Sequence, residues 1–85
     1  MDAWMQHLER YDLLELHQEA QQVGYRVRVA NGWTFDLEYE GGLDKYYERG
    51  NAVKTFDDTR RGRREARAFL SEVARDVERA KRSLF

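Results

Sequence analysis

The chain has 85 residues, of which 36% are charged and 41% hydrophobic, and its net charge is −1. This length allows one domain, residues 1–85, with a small core, and the 13% aromatic content argues against disorder. The absence of cysteine excludes disulfides and thiolate metal sites, and no apolar run approaches the roughly 18 residues of a membrane span.

The first predicted element is a helix over residues 2–23. Its apolar residues recur every three to five positions, and Asp2 is a suitable N-cap. Gly24 follows the last apolar residue, where a left-handed residue commonly ends a helix. Residues 25–29 and 33–39 then alternate strictly between apolar and polar, which predicts two strands that each have one apolar face.

The tripeptide Ala-Asn-Gly between these strands predicts a hairpin with a three-residue loop. A two-residue Asn-Gly turn would place apolar side chains opposite polar ones. The longer loop pairs Val29 with Trp33 and so places the apolar side chains of both strands on one face of the hairpin. We therefore predict a type I turn followed by a G1 bulge, with Gly32 in the left-handed conformation. In this register Arg26 faces Asp36 across the outer side of the hairpin.

Two shorter strands are predicted at residues 43–48, where a helical turn is the alternative, and at residues 52–57. A helix with one continuous apolar stripe then extends to about residue 83, beginning after the capping residues 57–59 or at Gly62. The predicted fold is α+β in the order α-β-β-β-β-α. It is an antiparallel meander with the N- and C-terminal helices packed on one face.

The residues that could carry catalysis are few and scattered. His7 and His17 are ten residues apart, almost three turns of the first helix, which is too far for a shared metal. We expect both to be partly exposed. No nucleophile motif or glycine-rich phosphate loop is present. We therefore predict a non-enzymatic protein with no catalytic residue, no metal site and no cofactor.

Charge is distributed unevenly, since residues 1–58 have a net charge of −6 and residues 59–85 a net charge of +5. The acidic candidate surface is the polar face of the second strand and its continuation. Alternate strand residues are about 6.8 Å apart, comparable to successive phosphates, so this face could imitate a nucleic acid. The alternative is a solvated sheet face balanced by Arg26 and Arg28. The acidic candidate residues are Asp36, Glu38, Glu40, Asp44 and Glu48.

The basic candidate surface lies at the start of the last helix, in a cluster of five arginines: Arg60, Arg61, Arg63, Arg64 and Arg67. Arg75, Arg79 and Arg82 continue it along one helix face, because they are spaced i, i+4 and i+7. Such a face suits phosphate groups or an acidic protein. The alternative is solubility, with the last three arginines neutralised by pairs such as Asp76–Arg79 and Glu78–Arg82.

The runs YRVRVANG, AVKTFDDT and REARAFLSEVARDV, within residues 25–73, resemble the arm-type DNA-binding domain of phage tyrosine integrases. The resemblance implies a three-stranded sheet that ends in a "KTF" strand, a helix behind it, and DNA binding. The family's sheet is typically basic, whereas the second and third strands here are acidic, which would repel phosphates. Thr59 and Glu65 are also six residues apart rather than three. The matching residues are Lys54, Thr55, Phe56, Thr59, Glu65, Ala66, Phe69 and Leu70.

The small size and two-faced charge are also similar in general character to small phage or mobile-element inhibitors, such as anti-CRISPR proteins. We therefore expect a cytoplasmic protein of the host cell that blocks a host nucleoprotein defence complex through its acidic surface, without membrane contact. The alternative is a small DNA-binding accessory protein that uses the arginine cluster. A structural homodimer with no other ligand is a third hypothesis.

Overall fold

The computed structural model describes residues 11–43 and 53–83. Within these residues the chain forms five elements: helix α1 (Tyr11–Gln21), strands β1 (Tyr25–Val29), β2 (Thr34–Tyr39) and β3 (Lys54–Asp57), and helix α2 (Arg60–Ser83). The strands make one antiparallel sheet in the order β1-β2-β3. The predicted α+β class is confirmed, and the observed element order is α-β-β-β-α. Neither described helix has the length and apolar character of a membrane span.

The prediction of a four-stranded meander is wrong. A meander would place residues 43–48 beside β2, but β3 pairs there instead, with Phe56 opposite Phe35. The two rings stack with centroids 5.7 Å apart, so this pairing buries aromatic surface on the core side of the sheet. Leu43 lies in irregular structure, and the rest of the predicted third strand lies outside the described residues.

Helix α1 is the part of the predicted helix over residues 2–23 that the structure describes, since residues 2–10 lie outside the described ranges. The predicted left-handed Gly24 is confirmed, with φ of 77°. A side chain is also excluded there by space, because a Cβ atom would lie 2.6 Å from the carbonyl oxygen of Gly41. Gly24 therefore allows the chain to turn from α1 directly into β1.

The β1–β2 hairpin has the predicted faces in a different register. Val29 pairs with Phe35 rather than with Trp33, so the loop is two residues longer than predicted. The reason is the Asn31 side chain, whose Oδ1 accepts hydrogen bonds from the backbone N–H groups of Trp33 (2.7 Å) and Thr34 (3.0 Å). The predicted left-handed Gly32 is also wrong, because the glycines with positive φ in the described chain are Gly24, Gly41 and Gly42.

A two-residue change of register leaves the paired side chains of β1 and β2 on their predicted faces, because strand side chains alternate with a period of two. Tyr25, Val27, Phe35 and Leu37 are all fully buried on the inner face. Both helices contribute to the same core, which α1 joins through Leu13, Leu16 and Ala20 and α2 through Ala66, Leu70, Val73 and Val77.

Helix α2 begins at Arg60, with Thr59 as its N-cap. The Thr59 hydroxyl accepts a hydrogen bond from the backbone N–H of Gly62 at 3.0 Å, which satisfies a donor that has no partner within the helix. Gly62 therefore does not mark the start of the helix. It lies buried in the first turn, packed against the backbone of Asp57 at the end of β3.

Candidate functional site

The outer face of the sheet carries charges of both signs. Glu38 is central, and its carboxylate accepts hydrogen bonds from Arg26 (2.8 Å) and Arg28 (3.0 Å), both on β1. These hydrogen bonds lower the pKa of Glu38. The predicted Arg26–Asp36 pair is replaced by Arg26–Glu38 because of the change of register. The most central carboxylate of the acidic surface is thus neutralised by two guanidinium groups within the sheet.

The other acidic candidates are dispersed. Asp36 accepts a hydrogen bond from the Thr55 hydroxyl at 2.7 Å, on the same outer face. Glu40 lies beyond the end of β2 and is exposed. Asp44 and Glu48 lie outside the described residues. Within the described chain the acidic surface therefore consists of the half-exposed Asp36 and the exposed Glu40, with the neutralised Glu38 between them.

The arginine cluster divides into two groups, and the first joins the two helices. Arg63 is only 20% exposed and donates a hydrogen bond to the Asp58 carboxylate at 2.7 Å. Its other terminal nitrogen lies 3.4 Å from the carboxylate of Asp12 on α1. Arg67 pairs with Glu19 on α1 at 3.1 Å. These two arginines hold α2 against α1, so their charge is used inside the fold.

The second group faces solvent and consists of Arg60, Arg61 and Arg64. Arg61 pairs with Glu65 one turn later at 3.1 Å, and both side chains are largely exposed, so the pair contributes little stability. Arg60 and Arg64 form no ion pair within the described parts of the chain. Their charge remains available to a ligand.

Further exposed arginines extend the face of Arg60 and Arg64 along the whole of α2. At 100° per residue, Arg64, Arg75 and Arg82 lie within about 20° of one another around the helix, and Arg60 lies about 40° from Arg64. All four are exposed, and Arg75 and Arg82 also form no ion pair with any described residue. We call these four residues the arginine stripe. At 1.5 Å per residue the arginine stripe is about 33 Å long.

Acidic residues of α2 lie mainly beside the arginine stripe rather than in it. Glu65, Glu72 and Asp76 fall about 60–120° further around the helix than the stripe. The predicted pair between Asp76 and Arg79 is present at 3.6 Å. The predicted Glu78–Arg82 pair is absent from the described residues, although Glu78 lies within the arginine stripe. Except for Glu78, the negative charges of α2 are thus separated from the arginine stripe on the solvent side of the helix.

His17 is buried, which contradicts its predicted partial exposure. Its Nδ1 accepts a hydrogen bond from the backbone N–H of Val27 at 3.1 Å. That N–H points away from β2, because alternate residues such as Gly24 bond across to β2. His17 therefore satisfies one backbone donor on the edge of β1 that faces away from β2. Burial lowers the pKa of His17, which keeps the imidazole neutral and able to accept this bond. His7 lies outside the described residues.

Trp33 is the residue whose environment the sequence predicted least well. The predicted register placed it on the buried face, but it lies at the tip of the hairpin with 82% of its surface exposed. Its carbonyl oxygen accepts a hydrogen bond from the N–H of Asp58 at 2.8 Å. The hairpin tip is thus held beside the turn that leads into α2 and its first arginines. The sequence signal that could have indicated this position is Asn31, whose side chain accepts hydrogen bonds from the following backbone N–H groups and so extends the loop.

Comparisons with known proteins do not add a function to these surfaces. No protein-family model, curated protein or solved structure matches the chain. Among the described residues, no group of three His, Asp or Glu side chains is arranged to hold a metal ion. The candidate site is therefore the solvent side of α2 together with the adjoining hairpin tip.

Proposed function

We propose that this protein is a non-enzymatic binding protein whose ligand is nucleic acid, contacted through the arginine stripe of α2. The observation that carries the proposal is that all four stripe arginines are exposed and form no ion pair with described residues. Guanidinium groups in this state release counterions from phosphates and donate paired hydrogen bonds to them. A helix about 33 Å long can present them along a nucleic-acid backbone.

The fold supports this proposal in a second way. The resemblance to arm-type DNA-binding domains implies a three-stranded sheet with a helix packed behind it. The described sheet has three strands, its last strand contains Lys54-Thr55-Phe56, and α2 packs behind it. In that family the sheet contacts DNA. Here the described outer face offers Arg26 and Arg28 against Asp36 and Glu38, so it has no excess of positive charge. The ligand contact is therefore assigned to the helix rather than to the sheet.

The inhibitor hypothesis, in which the acidic surface occupies a basic groove of a host defence complex, has weaker support. Glu38 would have to leave two arginines before it could meet a partner's basic groups. Breaking each of these partly exposed ion pairs costs about 0.2–1 kcal/mol, which a partner would have to replace. The exposed Glu40 and the half-exposed Asp36 are what remains of that surface in the described chain.

The experiment is fluorescence anisotropy of a labelled oligonucleotide, measured over a range of salt concentrations. Four phosphate contacts predict a log–log salt slope of about −3, because each contact contributes about −0.7 to −0.9. The variant R64Q/R75Q should weaken binding at low salt and reduce the magnitude of the slope by about 1.5.

The matched control is R26Q/R28Q, which removes the same amount of charge from the outer face of the sheet. The proposal expects this control to change the salt slope far less than R64Q/R75Q does. Equal effects of the two variants would show a dependence on net charge alone and contradict a binding site on α2. Circular dichroism on each variant establishes that the fold is retained.

A further inference from the structure

We infer that the nucleic acid is single-stranded and that Trp33 stacks on one of its bases, next to the first arginines of α2. This inference rests on the proposed function and adds the class of ligand. Trp33 is 82% exposed, whereas the other aromatic side chains whose burial is described are buried or half-buried. Single-strand-binding proteins combine such an exposed aromatic surface with nearby positive charge.

The backbone of Trp33 is fixed on both sides. Its N–H donates to the Asn31 side chain at 2.7 Å, and its carbonyl oxygen accepts from the N–H of Asp58 at 2.8 Å. The indole is therefore presented from an ordered backbone rather than from a free loop end. Because the backbone is already fixed, the residue loses less conformational freedom when its indole binds a base.

The hydrogen bond to Asp58 also sets the distance to the arginines. Two residues paired across a sheet are about 5 Å apart at their Cα atoms, and Arg60 follows Asp58 by two residues of 3.8 Å each. The Cα atoms of Trp33 and Arg60 are thus within about 13 Å of each other. Long side chains at both positions can reach neighbouring nucleotides of one strand.

The carboxylates near this site are mostly neutralised within the protein. Asp58 is bonded to Arg63, and Glu65 is bonded to Arg61. Asp57 is exposed on β3 and remains as an opposing charge. Arg60 and Arg64 carry positive charge near Asp57, and neither forms an ion pair with a described residue. The local balance is positive but small, so phosphate contacts alone would bind weakly here.

A single strand fits this combination better than a duplex does. In a duplex the bases are already stacked on one another, so an indole at the protein surface has no base face to contact. In a single strand each base offers a face, and one aromatic contact typically changes affinity by roughly five- to 150-fold. Trp33 would therefore supply the binding energy that the modest local charge does not.

The test compares a labelled oligothymidylate of about 12 nucleotides with a duplex of the same length, both at low salt. The single strand should bind more tightly than the duplex. W33A should weaken single-strand binding roughly five- to 150-fold and leave duplex binding unchanged, while W33F should retain most of the affinity. Because Trp33 is exposed, both variants should keep the wild-type circular dichroism spectrum.

Two other outcomes would overturn the inference, and they differ from each other. If the duplex binds as tightly as the single strand, W33A has no effect and R64Q/R75Q still weakens binding, then the proposed function stands and the stacking role of Trp33 is refuted. If neither oligonucleotide binds at low salt, both proposals fail. The exposed tryptophan and arginines would then fit a protein partner, since these residues dominate protein interfaces.

Discussion

Replacing Gly62 with alanine tests how α2 is positioned against the sheet. Gly62 is the third residue of α2 and is buried. A Cβ atom at this position would overlap the carbonyl oxygen of Asp57 and lie 2.8 Å from its carbonyl carbon. The reason for glycine here is space rather than backbone conformation, because the φ angle of Gly62 is not positive.

Two effects of opposite sign decide the result. Alanine is the better helix former, which would stabilise the protein by about 1 kcal/mol. Overpacking in a well-packed interior typically costs about 1–3 kcal/mol. The upper end of this range applies, because the opposing atoms belong to the backbone of β3 and cannot rotate away. We therefore expect G62A to be about 2 kcal/mol less stable than the wild type.

The assay is thermal unfolding followed by circular dichroism, with urea unfolding as a second measurement. For a domain of this size 1 kcal/mol corresponds to roughly 4–8 °C, so the Tm of G62A should fall by roughly 8–16 °C. Ser71→Ala is the matched control, since Ser71 is exposed on the same helix and should shift stability by less than about 0.5 kcal/mol. A Tm for G62A at or above the wild-type value would refute the close packing of Gly62 on Asp57.

Three further predictions concern single side chains and can be checked by urea unfolding. Thr59→Ala removes the N-cap of α2 and should cost about 1 kcal/mol, whereas Thr59→Ser should be almost neutral. Arg63→Ala removes the hydrogen bond to the Asp58 carboxylate, whose side chain is 8% exposed, and should cost about 1–3 kcal/mol. The lowered pKa of His17 makes the unfolded chain bind more protons than the folded one just below pH 6.5. Stability should therefore decrease as the pH falls from 7.5 to 5.5, and His17→Gln should reduce this decrease. An unchanged or higher urea midpoint at pH 5.5 would contradict the buried, neutral imidazole.

The faces of the first two strands could be predicted from the sequence because alternation is a local property. Tyr25, Val27, Phe35 and Leu37 are buried as their positions predicted. The register could not be predicted from the faces alone, because a shift of two residues preserves the faces of all the residues that remain paired. It depends on the two hydrogen bonds that the Asn31 side chain accepts, which compete with the turn types that the backbone alone prefers.

The division of the arginine cluster could not be predicted, because it depends on contacts that are distant in the sequence. Arg67 pairs with Glu19, 48 residues earlier on α1, and Arg63 of α2 lies close to Asp12, which is also on α1. Sequence spacing within α2 shows which arginines share a side of the helix, but not which side meets α1. The 11-residue interval from Arg64 to Arg75 is three turns, and it does identify the stripe once the buried side is known.

The turn at Asp57 and Asp58 connects the features that the two proposals use. Gly62 packs on the backbone of Asp57, Arg63 bonds to the side chain of Asp58, and the N–H of Asp58 bonds to Trp33. The indole and the first arginines therefore owe their proximity to one two-residue segment, which the hairpin contacts on one side and α2 on the other. If this segment moves, the aromatic and basic parts of the candidate site separate, even though Gly62 and Arg63, which hold it on the side of α2, are not among the residues proposed to contact the ligand. Asp58 therefore supports the basic surface although it is acidic, because Arg63, which it holds against the end of β3, fixes the start of α2, where Arg60 and Arg64 lie.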